Sequence, residues 1–348
     1  MSKTGWWLLG GAVIGALAAR EIKRRRNEFS RQQARNSEAR VLIIGAGVVG
    51  STYAAHLAHW GVDVTLLARG ERLEELKTQG LRWQDSLTRR GRAMRVKLAS
   101  TVSPADDYDL VIVVVRHTQT AEALDLARPI AANTPILAMQ NNPAGAALLC
   151  ERLGQPHVML GFPATGGALI GGLVRSLPLW LGTTIIGESD GAETQRLRQT
   201  ASLLRRAGLR VEVQQHMPDW LATHGAVIAV LAGCAYKNGG RLREMADRPG
   251  QVGLYFAALR EAYAVLRAND IPITPRSQEQ IFAQPTWLAA SWLRLAARMP
   301  WLRVAVEAHL AAAPDEMRAL YDHLMALAAR ARLDAPLLRA LGNYIPVE

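Results

Sequence analysis

Residues 41–50 read VLIIGAGVVG, a run of aliphatic side chains that ends in three glycines spaced G-x-G-x-x-G. An apolar run of this kind is typical of a parallel strand that is buried on both faces. Residues 51–59 have helical character, and residues 61–69, GVDVTLLAR, predict a second strand. Strand, glycine turn, helix and strand together predict the βαβ unit in which this motif binds a dinucleotide.

Each glycine of the motif has a predicted task. We expect Gly45 to make the tight turn, Gly47 to let a pyrophosphate approach, and Gly50 to let the helix pack on the strand. The free N–H groups at the start of the helix would hold the phosphate charge. A glycine turn with no ligand is the alternative. The loop predicted to bind the cofactor consists of Gly45, Ala46, Gly47, Val48, Val49 and Gly50.

The end of the second predicted strand indicates which dinucleotide binds. NAD sites of this type usually place an Asp or Glu there to accept the ribose hydroxyls. This chain has Arg69 at that position and Arg72 close behind it. Arginine suits a 2′-phosphate, so the sequence predicts NADP as the cofactor. The alternative is a pair of solvated arginines in an arginine-rich chain.

Several segments resemble the ketopantoate reductase (2-dehydropantoate 2-reductase) family, over roughly residues 40–275. The resemblance implies a Rossmann-type domain followed by an all-helical domain, and reduction of 2-dehydropantoate by NADPH in pantothenate biosynthesis. The segments that carry it are VTLLARGERLEELKTQGLRW (64–83), YDLVIVVVRHTQTAEAL (108–124), TPILAMQNNPAG (134–145), GFPATGGAL (161–169) and DIPITP (270–275).

The resemblance also assigns three residues outside the glycine loop. Arg116 stands where the family usually has a lysine near the cofactor, so a cation is retained there. Asn141 matches the cofactor-side asparagine, although at a strand end it is also a common turn residue. Glu261 falls where the family has a helix glutamate, so the resemblance implies a catalytic role for it, although on an amphipathic helix it is also a plain solvated charge.

The family's catalytic lysine, which donates a proton to the substrate carbonyl, is missing. Counting along the helix places that lysine on His224, and the two substrate-binding asparagines on Ile228 and Ala232. With an ordinary pKa of about 6.5, His224 can supply the proton near neutral pH. The alternative is a histidine packed on an apolar helix. The two apolar replacements predict a larger or less polar carbonyl substrate than ketopantoate itself.

The chain is divided into three parts. Residues 1–38 form a leader and linker, residues 39–210 the NADP-binding Rossmann domain, and residues 211–348 a helical domain for substrate and dimerisation. The fold class is therefore α/β with an all-helical C-terminal domain. The predicted function is NADPH-dependent reduction of a 2-oxo acid or related ketone, in a chain that forms a homodimer. A non-catalytic NADP-binding protein that senses or scaffolds at a membrane surface is the alternative.

Charge and cysteine content exclude two other classes of function. The net charge is +11, but residues 1–40 carry nine Lys or Arg and three Glu, so more than half of the excess lies in these forty residues. No aromatic interleaving or groove-reading motif accompanies it, so we expect no nucleic acid partner. The two cysteines are far apart and lack metal-ligand spacing, so we expect neither a bound metal nor a disulfide framework.

The leader combines an apolar stretch with a basic one. Residues 5–19 read GWWLLGGAVIGALAA, and REIKRRR follows at once. Fifteen residues are fewer than the roughly 20 that span a bilayer as a helix. The order of charges fits a short anchor whose basic flank is cytoplasmic, which would tether a cytoplasmic enzyme to the inner face of the membrane. A peripheral helix and an extension from a wrong start codon are the alternatives.

Overall fold

The computed structural model describes residues 28–33, 35–142, 145–283, 286–299 and 306–347. The N-terminal half of this chain is α/β and the C-terminal half is helical, as predicted. The strands of the described part are β1 (Arg40–Ile44), β2 (Asp63–Leu67), β3 (Leu81–Asp85), β4 (Gly91–Met94), β5 (Lys97–Ala99), β6 (Leu110–Val113), β7 (Ile136–Met139), β8 (Met159–Phe162), β9 (Gly167–Ile170), β10 (Leu173–Ser176), β11 (Thr184–Glu188) and β12 (Val211–Val213).

The helices connect and follow these strands. In the described part of the chain they are α1 (Val48–His59), α2 (Gly70–Gln79), α3 (Thr120–Ala127), α4 (Ala147–Leu153), α5 (Gln195–Arg206), α6 (Met217–Lys237), α7 (Leu242–Asp247), α8 (Gln251–Arg267), α9 (Ser277–Ala283), α10 (Thr286–Ala297), α11 (Ala308–Ala312), α12 (Pro314–Arg330) and α13 (Pro336–Gly342).

The larger sheet has the order β12-β11-β8-β7-β6-β1-β2-β5. Strand β1 lies parallel to both β2 and β6, so the strand order reverses beside β1. In open sheets of this kind, ligands bind outside the carboxyl ends of the strands at that reversal. Strands β6 and β7 are buried along their whole length, and β1 is buried after its first residue. This burial explains their continuous aliphatic sequences, and the predicted Rossmann-type fold class is confirmed.

Helices cover both faces of this sheet. Side chains of α1 and α5 pack on one face, and side chains of α3, α4 and the start of α6 pack on the other. Because helices cover both faces, we expect a ligand at the carboxyl ends of the strands beside β1. The N-terminal sheet runs to β12, three residues past the boundary at 210.

A second, smaller sheet has the order β4-β3-β10-β9. This sheet was not predicted from the sequence. Here β10 pairs in parallel with β3 and antiparallel with β9. Gly167 lets the two strands approach closely, since a Cβ on it would lie 2.1 Å from the carbonyl oxygen of Arg175.

The helical domain is organised around α6. This helix ends at Lys237: Asn238 follows it, and Gly239 and Gly240 both have positive φ values, +73° and +76°. Among the described helices, α6 is the one whose length and composition would suffice to cross a membrane. However, 67% of its apolar window is buried inside the protein, against α8, α12 and α13, as in the core helix of a globular domain.

The chain just before β1 differs from the polar linker expected over residues 27–39. Residues 28–33 and 35–36 are helical and pack on the end of α1. The Phe29 ring stands edge-on to Trp60 with centroids 4.9 Å apart, and the fully buried Asn36 donates to the Trp60 carbonyl at 2.9 Å. The polar composition of this segment alone did not indicate that it packs on the fold in this way. The predicted anchor at residues 5–19 lies outside the described residues.

Candidate active site

The three glycines of the loop after β1 differ in what surrounds them. Gly45 has a φ of +116°, and a Cβ there would lie 2.1 Å from the carbonyl oxygen of Val114. A Cβ on Gly50 would lie 1.9 Å from the carbonyl oxygen of Gly45. A Cβ on Gly47 would meet no described atom within 4 Å. Packing therefore requires glycine at the first and third positions, whereas the second leaves open space where a ligand could approach.

The start of α1 faces that open space. Gly47 is the N-cap of the helix, and no side chain caps its first N–H groups. Ser51 holds the loop from behind, since its hydroxyl donates to the carbonyl oxygen of Ala46 at 3.0 Å. Unpaired N–H groups at a helix start are suited to a phosphate. The loop, with Val48 and Val49 in the first turn, therefore fits the pyrophosphate of a dinucleotide.

The structure separates the two arginines that follow β2. Arg72 is a support for the glycine loop: its Nε donates to the Ala46 carbonyl at 3.1 Å, and its Nη1 lies 2.6 Å from Glu75. Only 15% of its side chain is exposed. Arg69 lies directly after the strand, is 47% exposed, and pairs with Glu122, which is itself 60% exposed. Of the two, Arg69 is the cation that an incoming 2′-phosphate could reach.

The carboxyl ends of β6 and β7 carry Arg116 and Asn141, and both residues contact the helical domain. Nη1 of Arg116 lies 3.7 Å from Oδ1 of Asp315. Nδ2 of Asn141 donates to Oε1 of Glu316 at 2.8 Å. Since Asp315 and Glu316 lie in the first turn of α12, the start of that helix stands over the strand ends where the dinucleotide would bind.

Two side-chain amide atoms at the end of β7 lack a hydrogen-bond partner in the described part of the chain. Oδ1 of Asn141 and Nε2 of Gln140 are buried, and neither has a hydrogen-bond partner among the described residues. Burying a polar atom without a partner costs free energy. A ligand amide, such as the carboxamide of a nicotinamide, could satisfy both an acceptor and a donor at this strand end.

Glu316 forms the centre of a polar cluster that the sequence analysis missed. Its side chain is 6% exposed, and its Oε2 lies 3.4 Å from Nε2 of His309, whose side chain is 40% exposed. The other oxygen, Oε1, accepts the bond from Asn141. In the sequence, Asp315 and Glu316 follow Pro314 at a helix start, where acidic residues are expected for the helix dipole alone. The local sequence therefore gave no signal of a site.

His224 lies against two aromatic rings. Its ring is stacked on Trp220 with centroids 5.1 Å apart and an interplanar angle of 5°, and it lies 4.2 Å from the ring of Phe162. Burial, and to a smaller extent the charge of the nearby His309, lowers the pKa of His224 to about 4. His224 is therefore neutral at pH 7. Its role as proton donor stays a prediction.

The two positions assigned to the family's asparagines differ from each other. Ala232 is fully buried in the core of the helical domain, whereas Ile228 is partly exposed, as His224 is. Leu231 is also partly exposed. At Ile228 and Leu231 the accessible surface of α6 is therefore aliphatic, and these two side chains offer no hydrogen bond to a substrate.

Glu261 lies in α8 and has a structural task. Its carboxylate accepts hydrogen bonds from the backbone N–H groups of Leu337 at 3.0 Å and Leu338 at 3.0 Å, at the start of α13. Within the described part of the chain, no hydrogen bond or ion pair joins Glu261 to His224, His309 or Glu316. This arrangement is that of a helix cap, and the catalytic role of Glu261 stays a prediction.

Cysteine and metal-ligand residues contribute nothing further to the site. Cys234 is buried and Cys150 partly exposed, and both are free thiols. Among the described residues, no group of three or more His, Cys, Asp or Glu side chains is arranged to hold a metal ion.

Comparison with known proteins finds a family that the N-terminal domain resembles. Residues 41–191 match the family described as ketopantoate reductase PanE/ApbA. Over 186 residues, the chain is 30% identical to the 2-dehydropantoate 2-reductase of Pyrococcus horikoshii, which covers 52% of this chain. The match spans 58% of that enzyme's own length, less than two thirds. The resemblance stated from the residues is confirmed.

Solved structures share the fold over a longer range. A PanE/ApbA family ketopantoate reductase from Ralstonia eutropha JMP134 has a TM-score of 0.71 at 22% identity, covering 88% of this chain and 97% of that one. D-mandelate dehydrogenase, solved with NADH and anilino(oxo)acetate, has a TM-score of 0.72 at 16% identity, covering 88% and 96%. At these identities the likeness concerns the fold.

Proposed function

Since residues 41–191 match the ketopantoate reductase PanE/ApbA family, we propose that this protein is an NADPH-dependent reductase of a 2-oxo acid. One observation carries the proposal. The open space at Gly47 and the unpartnered amide atoms at the end of β7 both lie at the carboxyl ends of strands of the larger sheet. The Glu316–His309 pair lies beside the end of β7. The chain thus offers a dinucleotide site with an acid group at its nicotinamide end.

Arg69 supports NADPH over NADH. Its guanidinium is half exposed, and an exposed ion pair such as that with Glu122 contributes little stability, so a 2′-phosphate can replace the glutamate. Arg72 is held by the loop and acts indirectly, by keeping the Ala46 carbonyl in place. Arg69→Gln should raise the KM for NADPH about tenfold or more and leave that for NADH nearly unchanged. Arg128→Gln, an exposed arginine on the same domain, is the matched control.

The proton donor is the second element of the proposal. The bound dinucleotide supplies the hydride that reaches the carbonyl carbon. We assign delivery of the proton to the carbonyl oxygen to His309, because Glu316 beside it can orient the ring and balance its charge. His224 is neutral, so the role we propose for it is that of a hydrogen-bond donor and part of the pocket wall. Asn141 holds Glu316 in place from the cofactor side.

The substrate we propose is a 2-oxo acid with an apolar or aromatic side group. Phe162, Trp220 and His224 form an aromatic wall beside the acid pair, and Ile228 and Leu231 extend it along α6. Such a wall binds an apolar group by burial and ring stacking. D-mandelate dehydrogenase, which has this fold, was solved with anilino(oxo)acetate. Arg116, which is 52% exposed, provides a cation for the substrate carboxylate.

The test is turnover of NADPH by the purified protein, followed by loss of nicotinamide absorbance. The substrates are 2-dehydropantoate and phenyloxoacetate, which differ in the polarity of the side group. A higher kcat/KM for phenyloxoacetate supports the aromatic wall, whereas a higher value for 2-dehydropantoate contradicts it and keeps the family activity. Tight binding of NADPH with no turnover on either acid would favour the alternative, a non-catalytic NADP-binding protein.

We propose the cytoplasm as the location and a homodimer as the assembly. The two free thiols, one of them buried, fit a reducing compartment. The helical domain is the part to which the sequence analysis assigned dimerisation. Cell fractionation tests the location, and the mass of the native protein in solution tests the assembly.

A further inference from the structure

A groove lies on the N-terminal domain, away from the glycine loop. It encloses about 280 Å³ between α1, the β3–β4 hairpin and the segment that follows β10. His56 and His59 line it from the last turn of α1, while the glycine loop lies at the first turn of the same helix. The groove and the proposed cofactor site are therefore at opposite ends of α1, and neither obstructs the other.

The rim of this groove is strongly basic. Arg90 and Arg92 line it, and Arg89 lies next to them in the same turn, with all three residues exposed. None of the three forms an ion pair with a carboxylate in the described part of the chain, although Arg92 contacts the His59 ring at 2.6 Å. Like charges this close repel one another unless an anion is present. The cluster therefore has the charge expected of a site for anionic groups.

The same rim carries exposed apolar side chains. Trp180, which lines the groove, is 58% exposed, and Leu87, in the turn between β3 and β4, is 37% exposed. Trp83 lines the groove from inside and donates from Nε1 to the Ser176 hydroxyl at 2.7 Å. Exposed arginine and tryptophan side chains on one rim are typical of proteins that rest at a membrane–water interface.

The N-terminal segment reaches the fold at this rim. Phe29 packs on the ring of His59, with centroids 5.2 Å apart, and on Trp60. The apolar stretch of residues 5–19 is separated from Phe29 by nine residues, among them Arg24, Arg25 and Arg26. Nine residues can extend over about 30 Å. The basic and apolar leader thus joins the fold beside a rim that has the same two properties.

The size of the groove decides between two occupants. A helix of fifteen residues is about 22 Å long and 10 Å wide, which corresponds to about 1,700 Å³. The groove, at about 280 Å³, is too small to hold the apolar leader as a helix. It has the size of a small polar ligand, such as the phosphate and glycerol of one lipid headgroup.

We propose that this groove and its rim bind the headgroups of an anionic phospholipid bilayer, so that the Rossmann domain lies on the membrane by the β3–β4 hairpin. Arg89, Arg90 and Arg92 contact the phosphates, and Trp180 enters the headgroup layer. The cofactor end of α1 then stays accessible from the cytoplasm. The surface acts together with the leader, because each basic residue near an anionic membrane adds to the attraction.

The test uses the full chain and vesicles of phosphatidylcholine, alone or with phosphatidylglycerol. The variant is Arg89→Glu/Arg90→Glu/Arg92→Glu. The control, Arg128→Glu/Arg276→Glu/Arg330→Glu, makes the same charge change at exposed arginines elsewhere. We expect the hairpin variant to bind anionic vesicles about a hundredfold more weakly than the original chain, and the control to bind them within a few-fold of it. Binding to neutral vesicles should stay nearly the same in both variants. Unchanged NADPH binding confirms that the hairpin variant is folded.

Hydrogen exchange distinguishes the surface from the leader. On anionic vesicles, the amides of residues 86–94 should exchange more slowly than in solution, while those of residues 328–334 should not change. The proposal is overturned if the hairpin variant binds anionic vesicles as the original chain does, since the leader alone then accounts for binding. It is equally overturned if free glycerol phosphate protects residues 86–94 and vesicles do not, since the groove then serves a soluble anion.

Discussion

Exchange of each cleft histidine for glutamine tests the assignment of the proton donor. Glutamine keeps a polar atom near the position of Nε2 but cannot donate a proton as an acid, so His309→Gln and His224→Gln form a matched pair. In the structure, His309 contacts the carboxylate of Glu316 at 3.4 Å, whereas His224 is stacked between Trp220 and Phe162 with its pKa lowered to about 4.

The lowered pKa sets the expected magnitude. With a pKa of about 4, roughly one His224 ring in a thousand is protonated at pH 7. A general acid contributes about a hundredfold to ten-thousandfold to a rate. A group that is so rarely protonated supplies little of that contribution. We therefore expect His309→Gln to lower kcat at least about a hundredfold and His224→Gln to lower it less than about tenfold, the latter mainly through substrate binding.

The assay is kcat and KM for NADPH oxidation with a saturating 2-oxo acid, measured for both variants across neutral pH. The affinity for NADPH, obtained by fluorescence titration, should be unchanged in both, which shows that the cofactor site is intact. The reasoning is refuted if His224→Gln loses about a hundredfold in kcat while His309→Gln keeps its activity. In that case His224 donates the proton, as the sequence analysis expected, and burial does not keep it neutral in the complex with substrate.

Three further predictions concern the glycine loop, the helix cap and acid stability. Gly45→Ala should lower the free energy of unfolding by about 3 kcal/mol or more, because the φ of Gly45 is +116° and a carbonyl oxygen blocks the Cβ. Gly47→Ala should keep the stability and weaken NADPH binding about tenfold or more. Thermal unfolding measures the first effect, and NADPH titration measures the second. Glu261→Ala should cost about 1–2 kcal/mol of stability through loss of the cap on α13, and should leave the kcat of the folded fraction within a few-fold. Glu261→Gln can still accept a hydrogen bond from the backbone, so a large loss of kcat in that variant would instead establish the catalytic role. Burial lowers the pKa of both His56 and His224 from 6.5 to about 4, so between these pH values the unfolded chain binds protons that the folded chain does not. The free energy of unfolding should therefore fall as the pH falls from 6.5 towards 4, by up to about 3 kcal/mol for each histidine. A denaturation series in which His56→Gln shows the same pH dependence as the original chain would contradict the contribution of that residue.

The sequence was informative where the chemistry is local. The glycine motif lies within six residues, and strand, turn and helix follow one another in it, so the residues alone were enough to infer the cradle around Gly47. The position after β2 is equally local, and Arg69 lies there with an exposed guanidinium. The distinction between Arg69 and Arg72 is not local, since the carbonyl of Ala46 fixes Arg72 and lies 26 residues away in the chain.

The acid pair shows where sequence reasoning stops. Asn141 and Glu316 are 175 residues apart and meet only because α12 begins over the end of β7. His224 was chosen from its position in the helix, but its low pKa is due to burial against Trp220 and Phe162, which no periodicity indicates. The second sheet was missed because its strands are short and pair across long separations, as β3 does with β10.

The sequence by itself determined the Rossmann-type core, the helical domain and the glycine turn between β1 and α1, because apolar runs, glycine spacing and helical periodicity act over a few neighbouring residues. The tertiary structure decided which charged side chains are accessible, which histidine has a carboxylate partner, and which basic residues lie together on one face. Those properties depend on burial and on contacts between distant segments, and the free energy of a charge depends on both.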